Sequence, residues 1–375
     1  MSIFSAISSI PGSYGRDYTG SMERKERVRR ALRREPIDRF PSQTNYTAKL
    51  GETYADHAGI SFEDLDDYFN NHLLRVDVSY PRRFSSDGKT AYDWWGAGFS
   101  TDEEGYLITD PPLSRVDPEA EEAPEADYAW PDPEDPNLLD GARKRMAAEG
   151  ESRFVIPNFG FALFERAWSL RGFEQFMLDM ALYPGFSENL LERITEIQGA
   201  LASRFVALGV DGGYFGDDLG AQRGMLFSPE VWRRMFKPRM QRLFSVFTDA
   251  GLPVILHSDG DIREILPDLI EIGLTALNPC QPEVLDHRWL KREYGRDLAF
   301  YGGISTQEVF PHGDPGKVRE AGRACLTTLG SDGTGLIYGP SHRLMADVPL
   351  ANLDAYRETL KDLTADTLPE KGDTE

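Results

Sequence analysis

The chain has 375 residues, with 41 Lys plus Arg against 62 Asp plus Glu and a formal net charge of −21. That balance argues against a non-specific binder of nucleic acid or anionic membrane, because phosphate affinity needs cationic surface; a small anion held by local arginines stays compatible with it. Hydrophobic content is 40%, enough for the core of one α/β barrel with insertions or of two smaller domains. The only cysteines, Cys280 and Cys325, make no disulfide framework and point to a reducing, cytoplasmic setting. No apolar run approaches the roughly 18 residues of a membrane span.

Residues 1–22 are small and polar, lack the apolar centre of a secretory signal, and read as a loose N-terminal arm. Ile3, Phe4 and Ile7 could dock that arm on a second subunit in an oligomer. Residues 24–34 form a basic helix ended by Glu35-Pro36, and an extended piece follows from Asp38 to near Asn45. Residues 46–71 read as two helices, the second capped by Ser61. Residues 73–80 are a strand, and residues 92–108 a hairpin. The acidic, Pro-rich tract 117–136 has few large apolar groups and should lie as a surface excursion. Helix resumes over residues 137–148.

A regular beat then begins. Strands at 153–157, 212–216, 253–257, 276–279, 298–301 and 335–338 alternate with amphipathic helices, among them 228–250 and 261–272, and the last helix starts near Leu350. Short apolar strands between helices mean a parallel sheet. With strands near Phe40 and Leu73 the count is about eight, the number that closes a barrel. A dinucleotide-binding sheet is the rival, but no G-x-G-x-x-G follows the first strand. The expected architecture is a single (β/α)8 barrel over residues 23–364, with an N-terminal helical arm, an acidic insertion and a polar tail at 365–375.

In such a barrel every strand aims its C-terminal end at one face, where these folds keep their chemistry. The ends read Asn45, Asp77, Asn158, Asp217-Asp218, His257 with Asp259, Asn278 to Gln281, Tyr301 with Gly302 and Gly303, and Ser341-His342-Arg343. Nearly all are polar or glycine, which one shared polar pocket explains economically. His257 suits metal or proton work, against the plainer role of a hydrogen-bonded strand-end histidine. Asp259 is a ligand or the cap of the helix after it. Asp217 and Asp218, between glycines, suit a general base or substrate anchor, one of them being free to form the turn. His342 and Arg343 fall in a loop after the last strand. Cys280 and Cys325 read as buried groups, and His57, His72, His287 and His312 as surface groups without partners.

Several segments together are similar to the uroporphyrinogen decarboxylase superfamily. They are residues 27–41 (an opening helix and turn), Tyr92-Asp93-Trp94-Trp95-Gly96 (its "DEWG" turn), Gly216-Asp217-Asp218-Leu219-Gly220, Ser228-Pro229-Glu230-Val231-Trp232, His257-Ser258-Asp259-Gly260, Gly302-Gly303-Ile304-Ser305, and the close from Pro340-Ser341-His342-Arg343 to Asn352-Leu353. The resemblance spans about residues 24–363 and implies a single barrel. It implies one of two activities, since the superfamily holds decarboxylases and zinc-dependent methyltransferases that use methylated corrinoid proteins. Decarboxylases carry an Arg-Gln-Ala-Gly-Arg-Tyr segment after the first strand, to bind substrate carboxylates; here residues 42–47 contain no arginine. Asp77 stands nearest to their essential aspartate. The methyltransferases hold zinc with His-x-Cys and a later Cys; here the corresponding residues are His257, Asp259 and His342, with Gln281 near the place of a glutamate. A two-histidine, one-carboxylate centre is harder than a thiolate one and suits zinc or another divalent metal.

The expected function is therefore metal-dependent methyl transfer or demethylation of a small methylated compound with a corrinoid protein as partner. His257, Asp259 and His342 would hold the metal, Asp217 or Asp218 with His257 would do the proton chemistry, and Asn45, Asp77, Asn158, Gln281, Tyr301 and Arg343 would position substrate. The alternatives are a carboxy-lyase acting on a porphyrinogen, and a barrel that binds a corrinoid or metabolite without catalysis.

Overall fold

The computed structural model describes residues 22–101, 107–119, 128–361, 363 and 364. The N-terminal arm, the C-terminal tail and the centre of the acidic tract lie outside the described residues. Seven parallel strands form one sheet in chain order: Leu73–Val76, Phe154–Phe159, Gly213–Gly216, Val254–His257, Ala276–Asn278, Ala299–Tyr301 and Leu336–Ile337. Ser42 makes single parallel bridges to Asn71 on one side and to Tyr338 on the other. The extended piece expected after Asp38 thus runs between the first and last strands of the sheet.

The strands alternate between two cores, as a period of two requires. Leu73, Phe154, Ile156, Tyr214, Ile255, Ala276, Ala299, Tyr301 and Ile337 pack on the concave side, together with Val28, Ala31 and Leu32 of the helix Arg24–Arg33. That helix plugs the end of the sheet remote from the strand C-termini. Val155, Phe215, Leu256, Leu277, Phe300 and Leu336 face outward into the larger core beneath the surrounding helices.

Three expectations change in detail. The helix expected over 228–250 is two, Pro229–Met235 and Lys237–Thr248, because Pro238 lacks the amide a continuous ladder needs at that turn. The hairpin becomes a four-stranded antiparallel sheet, Arg83–Phe84, Thr90–Tyr92, Gly98–Ser100 and Ile108–Asp110. Three of the four histidines expected to lack partners have them. His72 is fully buried, and its Nδ1 lies 2.7 Å from the Asn70 carbonyl oxygen. His287 Nε2 donates to the Cys280 carbonyl at 2.8 Å, and His57 Nε2 lies 2.9 Å from Asp354. Cys280 and Cys325 are buried, as expected.

Candidate functional site

The concave side continues past its apolar layers into polar ones. One step beyond Ile255, Ala276 and Ala299 the same parity delivers His257, Asn278 and Tyr301. Here the sheet opens into a cavity of about 1570 Å³, whose lining includes Asn45, Arg75, Asp77, Asn158, Asp218, His257, Asn278, His342 and Arg343.

His257, Asp259 and His342 come together as the sequence predicted. The imidazole centres of His257 and His342 are 5.5 Å apart. Asp259 stands 3.9 Å from His257 Nε2 through one oxygen and 3.9 Å from His342 Nε2 through the other. One ligand atom from each of the three lies within 4.8 Å of the others. Bonds of about 2.1 Å in a tetrahedron would set ligand atoms roughly 3.4 Å apart, so a small inward movement would suit an ion.

A hydrogen-bond network fixes which nitrogen of His257 faces this group. Asn278 Nδ2 donates to the Tyr301 carbonyl at 3.0 Å, which turns Asn278 Oδ1 toward His257 Nδ1, 2.8 Å away. Tyr214 Oη donates to the same oxygen at 3.1 Å. The oxygen can only accept, so Nδ1 carries the proton and Nε2 keeps its lone pair for the cluster. A second partner that locks the tautomer is what a metal-binding histidine requires. Burial, and then the neighbouring His257, push the His342 imidazole down to about 4, so it is neutral near pH 7 and able to ligate.

The loop that carries Asp259 depends on glycine. Gly260 has φ +81°, and a Cβ there would stand 2.4 Å from the backbone of Gly220. The two glycines let the Asp259 turn lie directly on the Gly220–Ala221 hairpin strand, where the Asp261 amide donates to the Ala221 carbonyl at 2.9 Å. Asp259 does not cap the following helix; Asp261 instead accepts the Arg263 amide.

The two adjacent aspartates divide. Asp217 is fully buried and accepts the backbone N–H groups of Phe164 and Glu165 at 3.0 and 2.8 Å, at the start of the helix Phe164–Arg171. Burial pushes it up to about 7 against the pull of those N–H groups. It is not part of the cavity lining. Asp218 does line it, with Oδ1 3.9 Å from His257 Nε2 and 2.8 Å from the Asp259 amide. Burial raises the Asp218 carboxyl, with His257 opposing the rise. Of the predicted substrate contacts, Asn45, Asp77, Asn158 and Arg343 line the cavity, whereas Gln281 and Tyr301 are buried beneath it. Gln281 accepts the Gly260 amide at 3.4 Å and so supports the Asp259 loop.

Sequence reading missed Glu165, Arg75 and Arg166, all of which line the cavity. Glu165 is raised well above the carboxylate range by burial and by Asp218 and Asp217. An acid in a first helical turn reads as ordinary dipole complementation, which hid it. Arg75 lies inside an apolar strand on the inward parity of Leu73, a signal that period-two reading carries. Arg166 bonds Asp93 at 2.6 Å and so ties the antiparallel sheet to the helix that bears Glu165.

A parallel α/β sheet with a polar cavity and a metal-capable triad at its strand C-termini is thus the class of molecule in hand. The family model for uroporphyrinogen decarboxylase (URO-D) matches residues 136–363, and the chain belongs to that family. No curated protein matches. Among solved structures the fold is similar to a methyltransferase from Methanosarcina mazei, at 17% identity and TM-score 0.68, over 91% of this chain and 98% of that one. It also aligns with a B12-independent methionine synthase from Shewanella sp. W3-18-1, at 14% identity and TM-score 0.41, over 60% of this chain and 67% of that one.

Proposed function

We propose that this URO-D family member is a cytoplasmic enzyme that transfers a methyl group from a small methylated substrate, with a divalent metal at His257, Asp259 and His342 and a corrinoid protein as methyl carrier. The observation that carries the reading is the convergence of Nε2 of His257 and of His342 on the two oxygens of Asp259, with the His257 tautomer set by Asn278. Two imidazoles and one carboxylate suit zinc or a similar divalent ion. Such an ion, when bound, supplies Lewis acidity that polarises the atom bearing the methyl group.

The chain's own groups do the rest. Asp218, which approaches His257 Nε2 at 3.9 Å, holds or returns a proton at Oδ1 beside the transfer site. Asp217, sealed under the helix start, anchors Phe164–Arg171 and thereby positions Glu165. Trp94, Phe99, Phe161 and Trp168 give the cavity an aromatic wall. A volume of about 1570 Å³ exceeds the roughly 300–1,000 Å³ of ordinary ligand pockets, which leaves room for a carrier's cofactor. We further read the Ser42 segment as an eighth strand that closes the sheet into a barrel.

One observation favours the carboxy-lyase reading: Arg75, Arg82, Arg145, Arg166 and Arg343 all line the cavity and could face the carboxylates of a porphyrinogen. Metal analysis of protein purified without chelator separates the two. Methyl transfer predicts about one equivalent of metal, lost in His257→Ala and His342→Ala. Metal-free protein that forms coproporphyrinogen from uroporphyrinogen reverses the assignment.

A further inference from the structure

Arg75, inside the strand Leu73–Val76, differs from the arginines packed around the sheet. Arg27, Arg153, Arg166 and Arg171, all nearly buried, each bond a carboxylate at 2.9 Å or closer. Among the described residues no carboxylate lies within ion-pair distance of Arg75. Its guanidinium stacks on Tyr214, with Cζ 4.1 Å from the ring centre, and lies in the electrostatic field of the Tyr301 phenol. Its buried Nε has no partner. Asp77, two residues on, takes the amide of Asn158 at 2.9 Å.

The polar groups packed behind this cation are neutral. The Leu73 amide donates to Gln43 Oε1 at 2.9 Å, so Gln43 turns its Nε2 toward Asn45 Oδ1, 3.3 Å away. Asn45 then turns its own Nδ2 toward Tyr301 Oη at 3.2 Å. Tyr301 Oη therefore accepts from Asn45. A chain of fixed amide donors ends on that phenol oxygen, and none of its members carries negative charge. A half-buried cation left with spare N–H donors is costly unless an anion meets it, and the open direction is the cavity, which Arg75, Asn45 and Tyr214 all line. Tyr214 separates Arg75 from His257, whose ring centre is 6.4 Å from its own.

We propose that Arg75 is the anion-binding group of the substrate site, and that the substrate is a small carboxylate whose charged end pairs with Arg75 while its body reaches toward His257. This rests on the reading that the cavity beside His257 is where substrate binds, and it adds the substrate's chemical class. The charge enters from the strand Leu73–Val76, not from residues 42–47, which hold no arginine. Asn45 and Tyr301 act as positioning residues.

Binding can be read without metal or turnover. Benzoate and its neutral isostere benzamide suit the aromatic wall, and quenching of tryptophan fluorescence in chelator-treated protein reports them. Benzoate should bind better than benzamide, and Arg75→Gln should weaken benzoate roughly tenfold or more while leaving benzamide unchanged. Arg75→Lys, which keeps the charge and loses the fork, should fall between, and matching thermal melts of the variants confirm that they fold. Equal binding of the two compounds by the wild type, no detectable benzoate binding, or benzoate affinity indifferent to Arg75→Gln overturns the proposal. Because the protein in this assay is metal-free, its failure leaves the metal analysis standing, and the reverse also holds.

Discussion

At the scale of the residue, the candidate centre is governed by an amide as much as by its ligands. Asn278 sits one layer above the apolar interior and uses each of its polar atoms: Nδ2 on the Tyr301 carbonyl, Oδ1 on Tyr214 and His257. Replacing it by leucine keeps the bulk and removes the acceptor for His257 Nδ1. The imidazole is then free to rotate or to shift its proton to Nε2. Asn278→Leu should lower metal affinity by roughly 10- to 100-fold while the ligands stay in place, as measured by competition with a chromophoric chelator. Unchanged affinity would show that the ring orientation is set elsewhere. Asp217 and Asp218 carry the complementary lesson. They are neighbours in sequence, but one closes a helix start and the other faces the cavity, because consecutive side chains at a strand end point in opposite directions.

Elements meet at the site through backbone contact. The His257 strand ends in a turn that lies on the Gly220–Ala221 strand, and this approach admits no side chain at either glycine. Gly260→Ala imposes both a left-handed backbone and a collision at 2.4 Å. The turn must lift, and Asp259 moves with it, although no ligand has been altered. The expected result is loss of metal binding together with a destabilisation of about 1–3 kcal/mol, read by metal content and by denaturant unfolding of the same preparation. Metal binding at the wild-type level would mean that the turn tolerates displacement. The opposite end of the sheet is closed by the helix Arg24–Arg33, whose Val28, Ala31 and Leu32 complete the inner core. Chemistry and stability are therefore kept at the two ends of the same strands.

For the molecule as a whole, the seam between its first extended segment and the sheet makes stability depend on pH. His72 lies at that seam: its amide donates to the Ser42 carbonyl at 3.0 Å, and its ring Nδ1 donates to the Asn70 carbonyl at 2.7 Å. Burial, reinforced by Arg27, Arg24 and Arg39, pushes this imidazole down to about 3. The unfolded chain takes up the proton near pH 6.5, whereas the folded chain resists until about pH 3, so unfolding binds a proton across that window. Stability from this group is complete above pH 6.5 and falls as the pH drops, by up to about 1.4 kcal/mol per pH unit. Urea unfolding at pH 6 and pH 4.5 should show a steeper loss for the wild type than for His72→Gln. Parallel losses would place the acid sensitivity in other groups.

The sequence by itself determined the alternation of short strands and helices, the parallel sheet and the polar strand ends, which follow from local rules: a period of two, helix periodicity, and the common direction of parallel strands. The grouping of His257, Asp259 and His342 was legible through the resemblance to the zinc-dependent methyltransferases. The burial of His72 was not legible, because histidine in isolation favours neither core nor surface. Glu165 and Arg75 were missed for a related reason: an acid in a first helical turn and a lone arginine in a strand each have an ordinary local explanation. Only the tertiary structure decided that Asp218 and not Asp217 reaches the cavity, that Asn278 sets the His257 tautomer, and that Arg75 enters the cavity with no carboxylate among the described residues within ion-pair distance. Each of those outcomes depends on which groups from distant strands stand within about 3–4 Å of one another, and that is set by register and packing across the whole sheet.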